Sequence, residues 1–172
     1  MSITLDQLIG DVSGGRIRGI VLGSPLAAAI EREGDDFSER KRRKFIKYIE
    51  DLAPGEELQL VLFYDDARNV RALTLYYNYF LAEHDDDTEP FEHLAAEVHA
   101  ALTKVHGDAA LEERAEGEGT KIRSWHLSDE SKLVSMTYTV RDRDDHRYDQ
   151  RVLKLEHGSP SSRQRHRGAD FA

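Results

Sequence analysis

Apolar residues recur at three- and four-residue spacing through residues 89–106, the pattern of one buried helix face. The stripe consists of Phe91, Leu94, Ala95, Val98, Leu102 and Val105. Thr88 stands where an N-cap is favoured, Pro90 suits the first turn, and Gly107 suits the end of a helix. The pattern therefore predicts an amphipathic helix over residues 89–106.

Two shorter helices are predicted nearer the N-terminus. Residues 25–33 follow Ser24, a favoured capping residue, and precede Gly34, a favoured stop. Residues 4–9 form one or two further turns, with Thr4 as the cap.

Strand patterns come in two groups. Residues 58–64 and 70–79 flank the polar segment 65–69, which predicts a hairpin. A later meander is predicted over residues 121–127, 132–141 and 147–156, with turns at 128–131 and 142–146. In its middle strand, apolar residues occupy every second position from Val134 to Val140, which indicates a strand with one buried face.

Periodicity alone does not decide between helix and strand for residues 44–52. Four residues fit the apolar face of a helix: Phe45, Tyr48, Ile49 and Leu52. The same four could line a twisted strand that enters a hairpin at residues 53–55. We favour the helix, and on this interpretation the basic run over residues 40–47 lies on its exposed face.

Together these elements predict an α+β fold, a mainly antiparallel sheet with helices packed on one face. A helix, a charged loop and antiparallel strands follow one another twice, so we predict a degenerate tandem repeat with halves at about 1–80 and 88–157. Residues 1–157 are expected to form a single domain. Residues 158–172 are rich in Ser, Arg and Gly without apolar periodicity, which predicts a flexible basic tail.

Composition narrows the class of protein. The chain has 172 residues, a length typical of one domain, and its net charge of −9 disfavours binding to nucleic acid. The absence of cysteine excludes a disulfide framework, a thiolate metal site and a cysteine nucleophile. No apolar run is long enough to span a membrane, and residues 1–11 lack a signal-peptide pattern. We therefore expect a cytoplasmic protein with no membrane partner.

Residues 18–26, with the sequence Arg-Gly-Ile-Val-Leu-Gly-Ser-Pro-Leu, resemble an opening of small bacterial two-layer α/β proteins. In these proteins a short strand runs into a helix that ends at a glycine. Small outer-membrane assembly lipoproteins, β-lactamase inhibitor proteins and several immunity proteins against polymorphic toxins share this plan. The resemblance covers about the first 80 residues, and it implies a binding or inhibitory protein and not an enzyme. The chain departs from the lipoproteins because it has no lipobox cysteine.

Histidines and carboxylates are the candidate metal ligands of this sequence. His99 and His106 lie seven residues apart and can share a helix face, and His93 stands four residues before Glu97. Neither pair has the further ligands that catalytic zinc needs. Residues 142–153 space their carboxylates like a calcium loop but lack its glycine at the sixth position and its glutamate at the twelfth. We predict no catalytic residue, no metal and no cofactor.

The candidate partner-binding residues are Asp65, Asp66, Tyr77, Tyr79, Asp85, Asp86 and Asp87. A compact group of carboxylates would attract a cationic protein over long range. Adjacent strand residues such as Tyr76 and Tyr77 face opposite sides of a sheet, so one of them is expected outside the core. Tyr77 or Tyr79 would supply an exposed anchor, since tyrosine is enriched at interfaces. The alternatives are solvated acidic loops and aromatic rings that pack within the sheet.

Our first hypothesis is a non-enzymatic protein-binding or inhibitory protein, namely an immunity protein that neutralises a basic bacterial toxin, as a monomer or homodimer. The alternative is a secretion-chaperone-like adaptor, which would be a dimer with an apolar groove. A third hypothesis is a hydrolase whose site is assembled from scattered His and Asp residues.

Overall fold

The computed structural model describes residues 4–10, 16–85, 87–108, 110–114, 120–126, 133–141 and 150–158. The α-helices in these ranges are α1 (Leu5–Ile9), α2 (Leu26–Glu33) and α3 (Glu89–His106). Short 3₁₀ turns span Lys41–Arg43 and Leu81–Glu83. None of these helices has the length and apolar character needed to cross a lipid bilayer.

The strands form one antiparallel sheet of eight strands with the order β1-β2-β3-β4-β8-β7-β6-β5. Their bounds are β1 (Ser38–Arg40), β2 (Phe45–Ala53), β3 (Glu56–Tyr64), β4 (Val70–Phe80), β5 (Ala110–Arg114), β6 (Thr120–His126), β7 (Leu133–Arg141) and β8 (Gln150–Gly158). Each run of four consecutive strands is a meander that follows a helix, and the meanders join where β4 pairs with β8. The predicted α+β class is thereby confirmed, whereas the tandem repeat stays a prediction.

The hydrophobic core lies between the helices and one face of this sheet. Along β3, Leu58, Leu60 and Leu62 are buried and the residues between them are half-exposed, because successive strand residues point to opposite faces. The buried leucines form one cluster with residues from all three described helices, including Leu8, Leu26 and Phe91. The helices therefore pack on one face, as predicted.

Helix α3 has the predicted bounds and ends at Gly107, which adopts a positive φ of 80°. Five residues of the predicted stripe are buried, but Val105, in the last turn, is 40% exposed. Thr88 occupies the N-cap position without a side-chain hydrogen bond. The first turn is capped instead by Asp87, whose Oδ1 accepts from the Glu89 amide at 3.0 Å.

The two shorter helices are also confirmed. Thr4 caps α1 in a reciprocal capping box with Gln7. At α2 the predicted cap is wrong: Pro25 holds the N-cap position, and the Ser24 hydroxyl donates to the Val21 carbonyl at 2.6 Å. Ser24 therefore stabilises the preceding turn and does not cap the helix.

The prediction of a helix over residues 44–52 is wrong. Lys44 adopts a left-handed φ of 53° that ends the 3₁₀ turn, and strand β2 follows from Phe45. Its partner β3 pairs Ile46 with Leu62 and Tyr48 with Leu60. Ladder hydrogen bonds with the next strand of the chain thus overrode the local helical period. The basic run accordingly lies at the β1–β2 turn and not on a helix face.

In the second half of the chain, the meander of β6, β7 and β8 is confirmed. Strand β5 corresponds to no predicted strand, and β8 ends at Gly158, which the prediction assigned to the tail, two residues beyond the predicted strand end at 156. His157 is only 5% exposed, so the ordered strand extends beyond the predicted boundary. The turns at 128–131 and 142–146 and the tail at 159–172 lie outside the described residues.

Replacement of Phe91 tests the buried stripe of α3. Phe91→Ala is expected to lower the free energy of unfolding by about 3–5 kcal/mol, because the ring is buried and stacks on Tyr77 at 5.9 Å. Val105→Ala, on the exposed side of the last turn, should cost less than about 0.5 kcal/mol. Urea unfolding monitored by circular dichroism measures both values, and similar losses would contradict this assignment of the stripe.

Candidate functional site

The face of the sheet opposite the helices is the candidate functional surface, and we call it the open face. Its side chains on β2, β3, β4 and β8 alternate in sequence with the buried ones and are brought side by side by the strand register. The open face comprises Phe45, Lys47, Ile49, Asp51, Glu57, Gln59, Val61, Phe63, Ala72, Thr74, Tyr76, Asn78, Phe80, Gln150, Val152, Lys154 and Glu156. Most of these side chains are half-exposed, whereas Ala72, Thr74 and Val152 are buried.

The aromatic side chains of the open face are held by cross-strand partners. Phe45 and Phe63 lie directly opposite each other, with ring centroids 5.7 Å apart. The Lys154 ammonium lies 5.6 Å from the centroid of the Tyr76 ring and 3.0 Å from Glu156. These rings are therefore fixed before any partner arrives, which reduces the entropy cost of binding.

A second cross-strand group surrounds Glu57. Its Oε1 accepts a hydrogen bond from Asn78 Nδ2 at 3.1 Å and another from the side-chain amide of Gln59. The carboxylate is thus held in place by neutral donors. The open face consequently combines ordered aromatic rings with an ordered negative charge.

Carboxylates gather at one end of the sheet, which we call the acidic end and define by Asp51, Glu57, Glu83, Asp85 and Asp87. Two elements meet there: the Phe80 amide donates to the Gly55 carbonyl at 2.8 Å, so the β2–β3 turn contacts the segment after β4. A Cβ on Gly55 would lie 2.5 Å from Glu83 Cβ, and Gly55 adopts a φ of 77°. Among the described residues, none of the five carboxylates of the acidic end forms an ion pair.

Basic residues gather at the opposite end, at the β1–β2 turn and the β3–β4 loop. The run Arg40 to Lys44 is largely exposed, and Lys44 Nζ lies 2.5 Å from Asp66. Arg68 lies 3.0 Å from Glu39, which also accepts from the Tyr64 hydroxyl at 2.7 Å. Among the described side chains of β1 to β4 and the segments that join and follow them, the net charge is therefore separated between the two ends of the sheet.

The two predicted acidic segments do not form one surface. Asp65 and Asp66 precede β4 and Asp85 and Asp87 follow it, so eleven strand residues separate them, or about 33 Å at about 3.3 Å per residue. Asp65 accepts from the Asn69 amide at 2.8 Å within its own turn, and Asp66 is paired with Lys44. The loop carboxylates are thus compensated locally, and only the later segment contributes to the acidic end. Asp86 lies outside the described residues.

The prediction that Tyr77 or Tyr79 is an exposed anchor is wrong, because each ring is only 1% exposed on the helix side. The Tyr77 hydroxyl donates to buried Glu56 at 2.8 Å, and the Tyr79 hydroxyl donates to the Asp87 carbonyl at 2.8 Å. Burial, followed by the bond to Glu56, raises the pKa of Tyr77 far above its usual range. Burial likewise raises the pKa of Tyr79. Both tyrosines are core residues.

The aromatic residues that do lie on the open face were missed by the sequence interpretation. Adjacent Tyr76 and Tyr77 must face opposite sides, and the structure places Tyr76 outward. The available signal was the alternation along β3, where leucines at 58, 60 and 62 identify the buried phase. The strand register pairs Leu60 with Leu75 and Gln59 with Tyr76. Leu75 therefore shares the buried face with Leu60, and Tyr76 shares the open face with Gln59.

The described side chains contain no group of three or more His, Asp or Glu residues arranged to hold a metal ion. His93 and Glu97 form a surface pair at 3.5 Å on α3. Scans of the chain against protein-family models, curated proteins and solved structures found no significant match. The resemblance of residues 18–26 to small two-layer proteins therefore stays a prediction.

Removal of one buried hydroxyl tests the Tyr77–Glu56 pair. Tyr77→Phe is expected to lower the free energy of unfolding by about 2–3 kcal/mol, because a buried carboxyl loses its hydrogen-bond donor. The matched variant is Tyr48→Phe, which loses an exposed hydrogen bond to the Gly34 carbonyl and should cost about 0.5–1 kcal/mol. Urea unfolding at neutral pH measures both, and a neutral Tyr77→Phe variant would contradict the buried pair.

Alkaline pH should destabilise the fold. Burial, with the charges of Glu33 and Asp35, raises the pKa of Tyr48 to about 12. An unfolded tyrosine ionises near about pH 10. The pKa of Tyr48 is higher in the folded state than in the unfolded state. The contribution of Tyr48 to the free energy of unfolding is therefore complete below pH 10 and is lost as the pH rises from 10 through 12. Urea midpoints at pH 8, 10 and 11.5 should fall less steeply for Tyr48→Phe than for the wild type. Equal slopes would show that Tyr48 does not contribute.

Proposed function

We propose that the chain is a non-enzymatic binding protein that neutralises a basic bacterial toxin domain as its immunity protein. One observation carries the proposal: the acidic end borders an open face lined by ordered aromatic rings. Such a surface offers both the contact area and the charge that recognition of a cationic protein requires.

The open face is the surface to which we assign the contact itself. Rings such as Tyr76 and Phe63 supply a large contact area with few rotatable bonds, and tyrosine is a frequent source of binding energy. Glu57 and Asn78 supply polar groups that are already oriented. Inhibition on this proposal comes from covering the active site of the toxin, which requires no chemistry from this chain.

The acidic end is assigned to the approach of the partner. Unpaired carboxylates raise the association rate with a cationic protein through long-range attraction, and this effect weakens as salt screens the charges. The opposite, basic end would repel the same partner. The separation of charge therefore orients the complex, with the most basic surface of the toxin over Asp51 and Glu57.

The alternative function, an adaptor, would require a different structure at the same surface. A secretion-chaperone-like adaptor would need a dimer with a continuous apolar groove, whereas polar side chains interrupt the open face at Gln59 and Asn78. Sedimentation equilibrium of the purified protein separates the two proposals. A stable dimer that buries the open face would favour the adaptor.

Loss of one open-face ring tests the proposed contact. Tyr76→Ala should weaken binding to the cognate basic toxin domain by about tenfold or more, because an ordered aromatic anchor is removed. Isothermal titration calorimetry measures the affinity, and growth of cells that co-express the toxin domain measures protection. Circular dichroism checks that the variant is folded.

The charge of the acidic end is tested separately. Glu57→Gln with Glu83→Gln should slow association by about threefold at low salt, whereas Glu31→Gln with Glu97→Gln removes the same charge from exposed helix positions and should change little. Stopped-flow kinetics at two salt concentrations measures both pairs. Failure of the wild type to bind or neutralise the toxin domain, or association that is indifferent to salt, would overturn the proposal.

A further inference from the structure

The outer edge of β2 is only partly covered. Strand β1 has three residues and pairs with Phe45, Ile46 and Lys47. Within the described part of the chain, no strand pairs with the outer edge of residues 48–53. The backbone groups there that do not bond to β3 are a template on which another extended chain can add as a strand.

Two clefts lie near this edge. A cleft of about 390 Å³ lies on the open side at the β2–β3 turn, where the edge ends, and is lined by Asp51, Leu52, Pro54, Gly55, Glu57 and Phe80. A second, of about 310 Å³, lies towards the helices and is lined by Asp6, Arg18, Arg32, Glu33, Glu50 and Leu52. Side chains of an added strand alternate between the two faces of the sheet, so every second side chain would point towards the helix-side cleft.

The charges along the edge select the chain that can pair there. Glu50 and Asp51 are exposed, and the cleft on the open side carries carboxylates without a basic lining residue. On the helix side, Arg18 is already engaged by Glu33 through contacts of 2.6 and 3.1 Å. An edge of this charge favours a basic strand and repels a second copy of this chain, whose net charge is −9.

Ile49 adds an apolar contact at the centre of the same edge. Its side chain is 54% exposed, which is the highest value among the exposed large apolar residues of the described ranges. A strand laid beside β2 would cover it. The edge thus offers main-chain hydrogen bonds, one apolar contact and two acidic positions within six residues.

We propose that residues 48–53 of β2 bind an extended, lysine- or arginine-bearing segment of a protein partner, which adds to the sheet as a further strand. This inference extends the proposed function, and it takes from that function one premise, namely that the partner is a basic protein. The segment would extend the contact from the open face around the edge of the sheet, with its cationic side chains beside Glu50 and Asp51.

A synthetic peptide tests the edge without any toxin. The probe is an acetylated, amidated octapeptide of alternating lysine and valine, titrated into the ¹⁵N-labelled full chain. We expect chemical-shift changes centred on residues 48–53 and slower amide exchange at every second residue there, because a strand bonds to alternate residues of its neighbour. Changes centred on the open face, or no saturable binding, would overturn the proposal.

Two matched comparisons separate strand addition from simple charge attraction. The same peptide with all of its backbone amides N-methylated keeps its charge but loses its main-chain donors on both edges, and it should bind at least about tenfold more weakly. Glu50→Lys with Asp51→Lys should weaken the unmethylated peptide by about tenfold, whereas Glu31→Lys with Glu97→Lys changes net charge equally and should alter affinity less than about twofold. Equal binding of the methylated peptide would overturn the proposal.

The outcomes distinguish this inference from the proposed function. Peptide binding at residues 48–53 with no neutralisation of the toxin domain would contradict the immunity function and support the edge site. Neutralisation of the toxin domain with no strand addition at the edge would support the open face as the binding surface and contradict the edge site.

Discussion

Burial of one sheet face beneath the helices is the interaction on which the rest of the structure depends. Each of the leucines at 58, 60 and 62 contributes about 1.5–3 kcal/mol when fully buried, and together with Phe91 they lie in a single cluster. Because strand side chains alternate strictly, the choice of buried phase also determines which residues lie on the open face. A slip of one residue would bury Glu57 and Gln59 and expose the leucines.

The same constraint explains the buried polar groups. Tyr77 and Tyr79 share the phase of the apolar residues on β4, so their rings enter the core and their hydroxyls need partners there. Glu56 begins β3 in the buried phase and provides one of those partners. Polar atoms lie in the core as a consequence of strand phase. The hydrogen bonds that they form limit the free-energy cost of burying them.

Sheet topology, in contrast, decides how charge is distributed. Carboxylates from the β2–β3 turn and from the segment after β4 meet because the antiparallel pairing returns the chain to the same end of the sheet. Their counterparts in the β3–β4 loop lie at the far end beside Lys44 and Arg68. The binding proposal therefore depends on a local concentration of charge that the net charge of the chain does not reveal.

Local chemistry in the sequence was sufficient for the three described helices, since the glycine stops, the apolar period and, at α1, the Thr4 cap act within a few residues of one another. The α+β class and the β3–β4 hairpin were predictable for the same reason. Tertiary structure alone decided that residues 44–52 form a strand and that Tyr76, not Tyr77, faces outward. Both depend on pairing with β3, and the ladder bonds and shared burial of consecutive strands outweigh a periodicity within one segment that fits either structure.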